Sequence, residues 1–263
     1  MSILEEIFAH KRLEVSERKR SIPESELRSQ ALGSPPPVDF LKAIQQKRSA
    51  PALIAEVKLR SPSRGSFNCT YDPLRLAGLY ASNGAAAISV LTDQRYFGGN
   101  LADLRRIASQ DHHLPLLRKD FIFDPYQVYE ARAAGAAAIL LIAAALHRRL
   151  LQELHDLSLQ CGMMPLIEVH TQQELGLALS CQPRLIGINN RNLADFSVSL
   201  NTFLNLRPLV PEGILVVAES GIHSSRDVRL LARAGANAVL MGEGLVTAEE
   251  IGRKVREIAG LEV

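Results

Sequence analysis

The segment 130-EARAAGAAAILLI-142 decides the fold of this chain. It joins the end of a helix, a glycine and a continuous apolar run, which is the order expected where a covering helix leads into a buried strand. Gly84, Gly135 and Gly235 each suit the left-handed conformation that ends a helix. Gly84 and Gly135 are separated by the length of two strand–helix units, and Gly135 and Gly235 by the length of four. The chain therefore repeats itself about every fifty residues, which is the length of two units. The same order recurs in 79-LYASNGAAAISVL-91 and 231-LARAGANAVLMG-242.

Eight apolar runs, separated by helical patterns, continue this order along the chain. They are almost wholly apolar rather than alternating, which is typical of parallel strands covered by helices. A last helix is predicted to begin at Thr247, with Glu250 completing a capping box. Eight units predict an α/β fold, a (β/α)8 TIM barrel, whereas an open doubly wound sheet would need a glycine-rich turn after its first strand. The runs are ALIAEV, AAISVLT, LPLLRK, AAAILLI, MPLIEV, RLIGIN, ILVVAES and NAVLMG.

The residues before the first strand predict extra helices at the N-terminus. The segment 2-SILEEIFAHKRLEVSERKR-20 has apolar residues mainly on one helical face, and Asp39 is expected to start a second short helix after a stretch that contains Pro and Ser. We therefore predict a helical extension at residues 1–48, packed on a barrel at residues 49–263. Together they form one structural domain.

Composition gives little support for nucleic-acid or membrane partners. Hydrophobic residues make up 47% of the chain and charged residues 22%, with a net charge of +2, which gives no strong argument for nucleic acid or a membrane surface. The longest apolar run, residues 133–146, is too short to span a bilayer. The scattered Cys69, Cys161 and Cys181 fit a reducing cytoplasm, and neither they nor the histidines have the spacing of a metal site. We expect a cytoplasmic protein that is a monomer or weak homodimer, without metal or cofactor.

Polar residues cluster at the carboxyl ends of the predicted strands, where a barrel of this class carries its active site. Glu56 and Lys58 are two residues apart and share one face of the first strand. They could be a structural ion pair, but buried ion pairs stabilise poorly, which favours a functional role. The other strand ends supply Lys119, Glu168, Asn189, Arg191, Glu219 and Ser220.

The apolar surroundings of Glu168 indicate acid–base chemistry, whereas Lys119 and Arg191 each have a simpler alternative interpretation. Glu168 is flanked by apolar residues, and such a setting is expected to raise the pKa of its carboxyl and suit it to proton transfer. Lys119 could instead be a surface lysine, and its neighbour Arg118 is expected to face the helices. Arg191 could be no more than a loop cation.

Two loops predict a phosphate site. Ser220-Gly221 precede a helix that Ser224 is expected to cap, and residues 242–244 begin another short helix with two glycines. Glycine lets the backbone approach an anion, and the first amides of a helix point at it. The loops after strands seven and eight are the usual phosphate site of such barrels. At Glu243 the backbone amide, rather than the carboxylate, is expected to face the phosphate.

The opposite side of the predicted mouth is apolar. The fourth strand carries no polar residue, and neighbouring loops contribute Tyr96, Phe97 and Phe121. Phe121 and Leu140 could also be simple core residues. An aromatic wall opposite a phosphate site predicts a small-molecule substrate in which an aromatic group is joined to a sugar phosphate.

These motifs resemble those of the indole-3-glycerol phosphate synthase family, in order and across nearly all of the chain. The resemblance implies a lyase of tryptophan biosynthesis that closes the indole ring of 1-(2-carboxyphenylamino)-1-deoxyribulose 5-phosphate with loss of CO2 and water. The family's extra helices before the barrel match the N-terminal segment. The similar stretches are ILEEIFAHKRLEVSERK, LIAEVKLRSPSRG, LTDQRYFGGN, LRKDFIFDPYQVYEARAAGAAAILLI, PLIEVH, IGINNRNL, VAESGI and LMGEGLV.

The resemblance also implies roles for the residues. Lys119 matches a general acid that protonates the sugar carbonyl, and Glu168 an acid/base for the dehydration. Lys58 matches a group that binds a substrate anion and can also donate a proton, held by Glu56; the division of steps between the two lysines stays open. The predicted catalytic residues are Glu56, Lys58, Lys119, Glu168, Asn189 and Ser220. The predicted substrate- and phosphate-binding residues are Ser61, Phe97, Phe121, Leu140, Arg191, Glu219, Gly221, Gly242 and Glu243.

Two alternatives remain at this point. Another sugar-phosphate barrel, such as phosphoribosylanthranilate isomerase, resembles this chain in its phosphate loops but uses a Cys and an Asp at its strand ends. A barrel that binds a sugar phosphate without catalysis would not need the buried carboxylate predicted at Glu168.

Overall fold

A computed structural model describes residues 3–46, 50–61, 65–67, 72–193 and 195–262 of the chain. Eight parallel strands form a closed barrel in which each strand pairs with its sequence neighbours. The first strand closes the ring, because Ala52 lies opposite Ala238 of the eighth strand while Ile54 lies opposite Ala87 of the second. The predicted TIM barrel is confirmed. Its strands are Ala52–Val57, Ala87–Leu91, Leu116–Lys119, Ala138–Ile142, Met164–Val169, Leu185–Asn189, Leu215–Glu219 and Ala238–Met241.

Helices cover the barrel, and polar side chains fix where several of them begin. Asp124 accepts a hydrogen bond from the amide of Tyr126, and comparable caps at other helices satisfy amides that the helix itself leaves unpaired. The three glycines of the repeat have φ of 100°, 89° and 93°, as predicted for residues that end a helix. The helices after the first strand are Pro73–Ser82, Leu101–Ala108, Pro125–Ala133, Arg148–Gln160, Gln172–Leu179, Asn201–Leu206, Ser225–Arg233, Glu243–Val246 and Ile251–Ile258.

Within the described residues three helices precede the barrel, one more than the sequence predicted. Ile3–Ser21 and Phe40–Gln45 match the predicted helices, and the Asp39 side chain caps the latter. The additional helix, Glu24–Gly33, begins directly after Pro23 and buries Leu27 against the barrel's helical layer. The few apolar residues of this helix stand among Ser and Glu, so the helical periodicity of its hydrophobic residues is too weak to predict it. The predicted boundary between residues 48 and 49 lies outside the described residues.

Two further details concern the chain ends and the first loop. The capping box predicted at Thr247 is wrong, because the Thr247 hydroxyl donates to the carbonyl of Glu243 and so closes the short helix Glu243–Val246. After the first strand, Arg60–Ser61 and Gly65–Ser66 pair as an antiparallel hairpin, and residues 62–64 between them lie outside the described part. Among the described helices, none is long and apolar enough to cross a membrane.

Candidate active site

Every predicted site residue lines one cavity of about 410 Å³ at the carboxyl ends of the strands. Convergence follows from the topology, since parallel strands of a closed barrel deliver their last residues to the same mouth. The predicted residues that line the cavity are Glu56, Lys58, Ser61, Phe97, Lys119, Phe121, Leu140, Glu168, Asn189, Arg191, Glu219, Ser220, Gly221, Gly242 and Glu243.

The floor of the cavity is a layer of charged side chains. Glu56, Lys119, Glu168 and Glu219 come from the first, third, fifth and seventh strands, and alternate strands of such a barrel contribute side chains to a common layer. The Lys119 ammonium donates to both Glu168 Oε2 at 3.1 Å and Glu219 Oε2 at 3.0 Å. A layer that is usually apolar therefore holds three carboxylates around one lysine.

This arrangement keeps Lys119 charged. Burial alone would lower the pKa of the ammonium, but attraction to Glu168, then Glu219 and Glu56, outweighs burial and raises the pKa well above its ordinary value. The side chain is 16% exposed and lines the cavity, so the ammonium is accessible to a ligand. Lys119 is therefore a cation throughout the neutral range.

The two carboxylates that flank Lys119 titrate in opposite directions. Burial raises the pKa of Glu219 to about 7, since Lys119 offsets burial only in part and Glu168 repels a second negative charge. At Glu168 burial is outweighed by Lys119 and then His170, which hold its pKa well below the ordinary value. The predicted rise at Glu168 is thus wrong, and the raised pKa belongs to Glu219.

His170 explains the difference between the two carboxylates. Its Nε2 lies 3.3 Å from Glu168 Oε1 and its Nδ1 lies 2.9 Å from Glu174 Oε2. Burial would lower the pKa of the imidazole, but these two carboxylates raise it to about 10. A second positive charge therefore faces Glu168 and not Glu219. Sequence reasoning missed His170, although its position two residues after Glu168 on the same strand face was a usable signal.

Lys58 extends the charged layer toward the cavity mouth. Its ammonium lies 3.4 Å from Glu56 Oε1 and 5.8 Å from the ring centroid of Phe97, a distance that allows a cation–π interaction. The predicted pairing of Glu56 with Lys58 is present. Lys58 therefore stands between the acidic floor and the aromatic wall.

Two glycines make room for the buried carboxylates. A Cβ at Gly187 would lie 2.1 Å from Glu219 Oε1, and a Cβ at Gly242 would lie 2.4 Å from Glu56 Oε1. Contacts this short do not occur in folded proteins, so any larger residue at either position would displace the carboxylate. Gly242 was predicted as a ligand contact, and the structure gives it this second task.

The loop after the seventh strand is held in an uncommon conformation. Ser220 and Gly221 have φ of 62° and 74°, and left-handed backbone is rare for a serine. The Asn190 amide holds the loop by donating to the carbonyls of Glu219 and Ser220 at 3.0 and 3.1 Å. Ser224 caps the following helix in a capping box, as predicted. Ser220 and Gly221 of this loop line the cavity.

The loop after the sixth strand borders the same side. The Asn189 side chain accepts from the amide of Arg191 at 3.0 Å, and the Arg191 guanidinium donates to the carbonyl of Phe196. Arg191 lines the cavity.

The apolar wall of the cavity combines barrel and N-terminal residues. The rings of Phe97 and Phe121 lie 5.9 Å apart, with Leu140 beside them among the lining residues. Tyr96 does not join this wall, because its hydroxyl instead donates to Glu6 of the N-terminal helix. Ile3, Leu4 and Ile7 of that helix also line the cavity, a contribution that sequence reasoning treated only as packing.

Within the described ranges, no group of three or more His, Cys, Asp or Glu side chains has the arrangement of a metal site. Cys161 and Cys181 are buried away from the cavity lining, and Cys69 lies outside the described residues. The chemistry available from the described lining residues is therefore proton transfer by lysines and glutamates, with anion binding by backbone amides and cations.

Comparison with solved structures supports the fold. A 3-hexulose-6-phosphate synthase superposes with a TM-score of 0.65 at 13% identity, covering 80% of this chain and 98% of that one. A thiamine phosphate pyrophosphorylase from Pyrococcus furiosus gives a TM-score of 0.61 at 14% identity, covering 84% and 96%. At such low identity the likeness concerns the barrel architecture alone.

Comparison of sequences is more specific. The profile of the indole-3-glycerol phosphate synthase family matches residues 4–258. A protein of that name from Roseiflexus sp. (strain RS-1) is 49% identical over 266 residues, which cover 98% of each chain. Another from Dehalococcoides mccartyi (strain CBDB1) is 47% identical and covers 97% of this chain and 99% of its own. The chain therefore belongs to the indole-3-glycerol phosphate synthase family, which confirms the resemblance and the carboxy-lyase class predicted from its sequence.

Proposed function

We propose that this chain converts 1-(2-carboxyphenylamino)-1-deoxyribulose 5-phosphate into indole-3-glycerol phosphate, with loss of CO2 and water, in tryptophan biosynthesis. The observation that carries the proposal is the Lys119 ammonium held between Glu168 and Glu219 at the floor of a cavity. One side of that cavity is aromatic and the other is formed by glycine-containing loops. Such a cavity suits a ligand with an aromatic group at one end and a phosphate at the other.

In the proposed reaction the charged floor handles the protons. Lys119 donates to the sugar carbonyl oxygen as the aromatic carbon attacks the carbonyl carbon, because its ammonium lines the cavity between the carboxylates of Glu168 and Glu219. Glu168, kept ionised by Lys119 and His170, accepts a proton in the later loss of water. Lys58, held by Glu56, binds the substrate carboxylate and is the second available donor.

The remaining predicted residues bind the two ends of the substrate. Phe97, Phe121 and Leu140 contact the anthranilate ring. Asn189, Arg191, Glu219 and Ser220 complete the polar ring around the sugar. Backbone amides at Gly221, Gly242 and Glu243, together with Ser61, hold the phosphate, since glycine allows close approach to an anion. We further propose that the enzyme is a cytoplasmic monomer or weak homodimer without nucleic-acid or membrane partners, and that residues 1–48 and 49–263 form one structural domain.

Neither alternative explains the charged floor as well. An isomerase of the phosphoribosylanthranilate type uses a Cys and an Asp at its strand ends, whereas the first strand here supplies Glu56 and Lys58. A barrel that only bound a sugar phosphate would bury Glu168 and Glu219 beneath the ligand at a cost in stability that binding alone does not require.

The test is an indole fluorescence assay after the substrate is mixed with the protein. The chain contains no Trp, so indole emission from the product has no protein background. We expect wild-type turnover, and a loss of about 100-fold or more in Lys119→Met, as for removal of an essential proton donor. The exposed Lys42→Met serves as control and keeps wild-type turnover. Substrate binding without an indole signal would disprove the function, and near-normal turnover of Lys119→Met would disprove that residue's role.

A further inference from the structure

The N-terminal helix Ile3–Ser21 places one lysine where no solvent reaches it. Lys11 is 0% exposed, and its ammonium lies 2.7 Å from Asp93 Oδ2, 3.1 Å from Asp120 Oδ1 and 2.8 Å from Glu14 Oε2. Burial would lower the pKa of Lys11, but Asp120 and then Asp93 outweigh burial and raise it. Lys11 is therefore a permanent cation that joins the extension to the ends of the second and third barrel strands.

Both aspartates that bind Lys11 also hold the backbone of the aromatic wall. Asp93 Oδ1 accepts from the amides of Tyr96 at 2.8 Å and Phe97 at 3.3 Å. Asp120 Oδ1 accepts from the amide of Phe121 at 2.8 Å. One ammonium thus bridges the two carboxylates that accept hydrogen bonds from the backbone of Phe97 and Phe121 in the loops after these strands.

The opposite side of Asp120 is also fixed. Its Oδ2 accepts from Thr92 at 2.7 Å and from the Arg118 guanidinium at 2.9 Å, and Arg118 continues to Glu130 of the helix Pro125–Ala133. Arg118 thus faces the helices, as predicted. Asp120 is thus held from both sides, and Lys11 links it to Asp93.

The same helix contacts the wall directly. Phe8, three residues before Lys11, packs edge-to-face on Phe121 with ring centroids 5.6 Å apart. Ile7 lines the cavity beside it. The ion pairs of Lys11 therefore hold in place a helix whose own side chains form part of the aromatic wall.

We propose that Lys11 is a positioning residue for the aromatic half of the substrate: by bridging Asp93 and Asp120 it fixes the spacing of Phe97 and Phe121 and seats the N-terminal helix against them. Lys11 touches no reacting atom. The inference rests on the proposed function for the identity of the ligand, and it goes beyond that function by assigning a residue of the extension to the positioning of the aromatic wall.

A second lysine of the same helix provides a matched control. Lys19 also joins the helix to the barrel, through Asp124 at 2.8 Å, but it is 37% exposed and lies far from the two phenylalanines along the helix. If Lys11 only attached the helix, Lys11→Met and Lys19→Met would affect ligands in the same way. If Lys11 positions the aromatic wall, only Lys11→Met should weaken the binding of ligands that have an aromatic group more than that of ligands that lack one.

The experiment measures two dissociation constants for wild type and each variant. Indole-3-glycerol phosphate is titrated by its own emission, and glycerol 3-phosphate, which lacks the ring, by competition. We expect Lys11→Met to weaken indole-3-glycerol phosphate about tenfold or more, equivalent to roughly 1.4 kcal/mol, and glycerol 3-phosphate by less than about twofold. Lys19→Met should leave both constants within about twofold of wild type.

A charge-balanced variant covers the case in which Lys11→Met does not fold. The double variant Lys11→Met/Asp93→Asn removes one charge of each sign, so Asp93 leaves no unpaired buried charge. It should show the same selective loss of affinity for indole-3-glycerol phosphate. Equal weakening of both ligands, or no weakening in a folded variant, would overturn the inference alone. A wild-type protein that binds glycerol 3-phosphate but not indole-3-glycerol phosphate would instead overturn the proposed function, and the inference with it.

Discussion

Replacing Glu219 with Gln should reduce the loss of stability that the protein undergoes as pH rises from about 5 to 8. The Glu219 carboxyl is 1% exposed and has a pKa of about 7, compared with 4.5 for an ordinary glutamate. Between these two values the folded protein keeps a proton that the unfolded chain has lost. The free energy of unfolding therefore falls as pH rises through this window, and the Glu219→Gln substitution would remove that dependence.

The expected magnitude follows from the two pKa values. Between about pH 5 and pH 8, the cost of ionising Glu219 in the folded state grows by about 2.5 kcal/mol. For a chain of this size that corresponds to a change of roughly 5 to 10 °C in Tm. Any constant effect of the amide on packing is the same at both pH values and cancels in the difference.

The assay is thermal unfolding of wild type and Glu219→Gln at both pH values. The Tm of the variant relative to wild type should increase by the stated amount from about pH 5 to pH 8. Glu153→Gln, an exposed change on the helix Arg148–Gln160, is the control and should give the same relative Tm at both values. A relative Tm of Glu219→Gln that does not change with pH would refute the assignment of the raised pKa to Glu219.

Two further predictions concern residues that lie against the carboxylates of Glu219 and Glu168. Gly187→Ala should displace Glu219, which lowers the free energy of unfolding by about 1 to 3 kcal/mol and reduces turnover. Its control, Gly176→Ala on an open helix surface, should raise the free energy of unfolding slightly. Denaturant unfolding measures both effects. His170→Gln removes a positive charge beside Glu168, so the pKa of the Glu168 carboxyl should rise. The acid limb of the pH–rate profile should therefore move to higher pH. A limb that does not move would show that His170 does not lower the pKa of the catalytic carboxyl.

The barrel could be predicted because its signals are local. A strand covered on both faces is apolar throughout, so the run MPLIEV coincides with the strand Met164–Val169. Once eight such runs are placed, topology alone brings Lys119 and Glu168 to one mouth, although they are far apart in sequence. The convergence of the site thus required no knowledge of contacts.

The charge state of the site could not be predicted in the same way. Apolar neighbours in sequence suggested a raised pKa for Glu168, but the field that decides it comes from Lys119 on another strand and from His170. Lys11 is the same case, because a lysine in a charged helix is normally solvated and only the packed fold shows that it is buried. Electrostatic neighbours across the fold leave no periodic pattern in the sequence.

The opposite shifts of the two carboxylates also constrain how the proposed reaction divides its protons. Lys119 stays protonated at neutral pH, so it acts as donor or as a fixed positive charge and never as the initial base. Its raised pKa makes it a weak acid, but the carbonyl oxygen becomes an alkoxide, a far stronger base, as the ring closes, and transfer is then favourable. The base must therefore be a carboxylate. Glu168 is ionised for that purpose, while Glu219, with a pKa of about 7, can return a proton to Lys119 after each turnover.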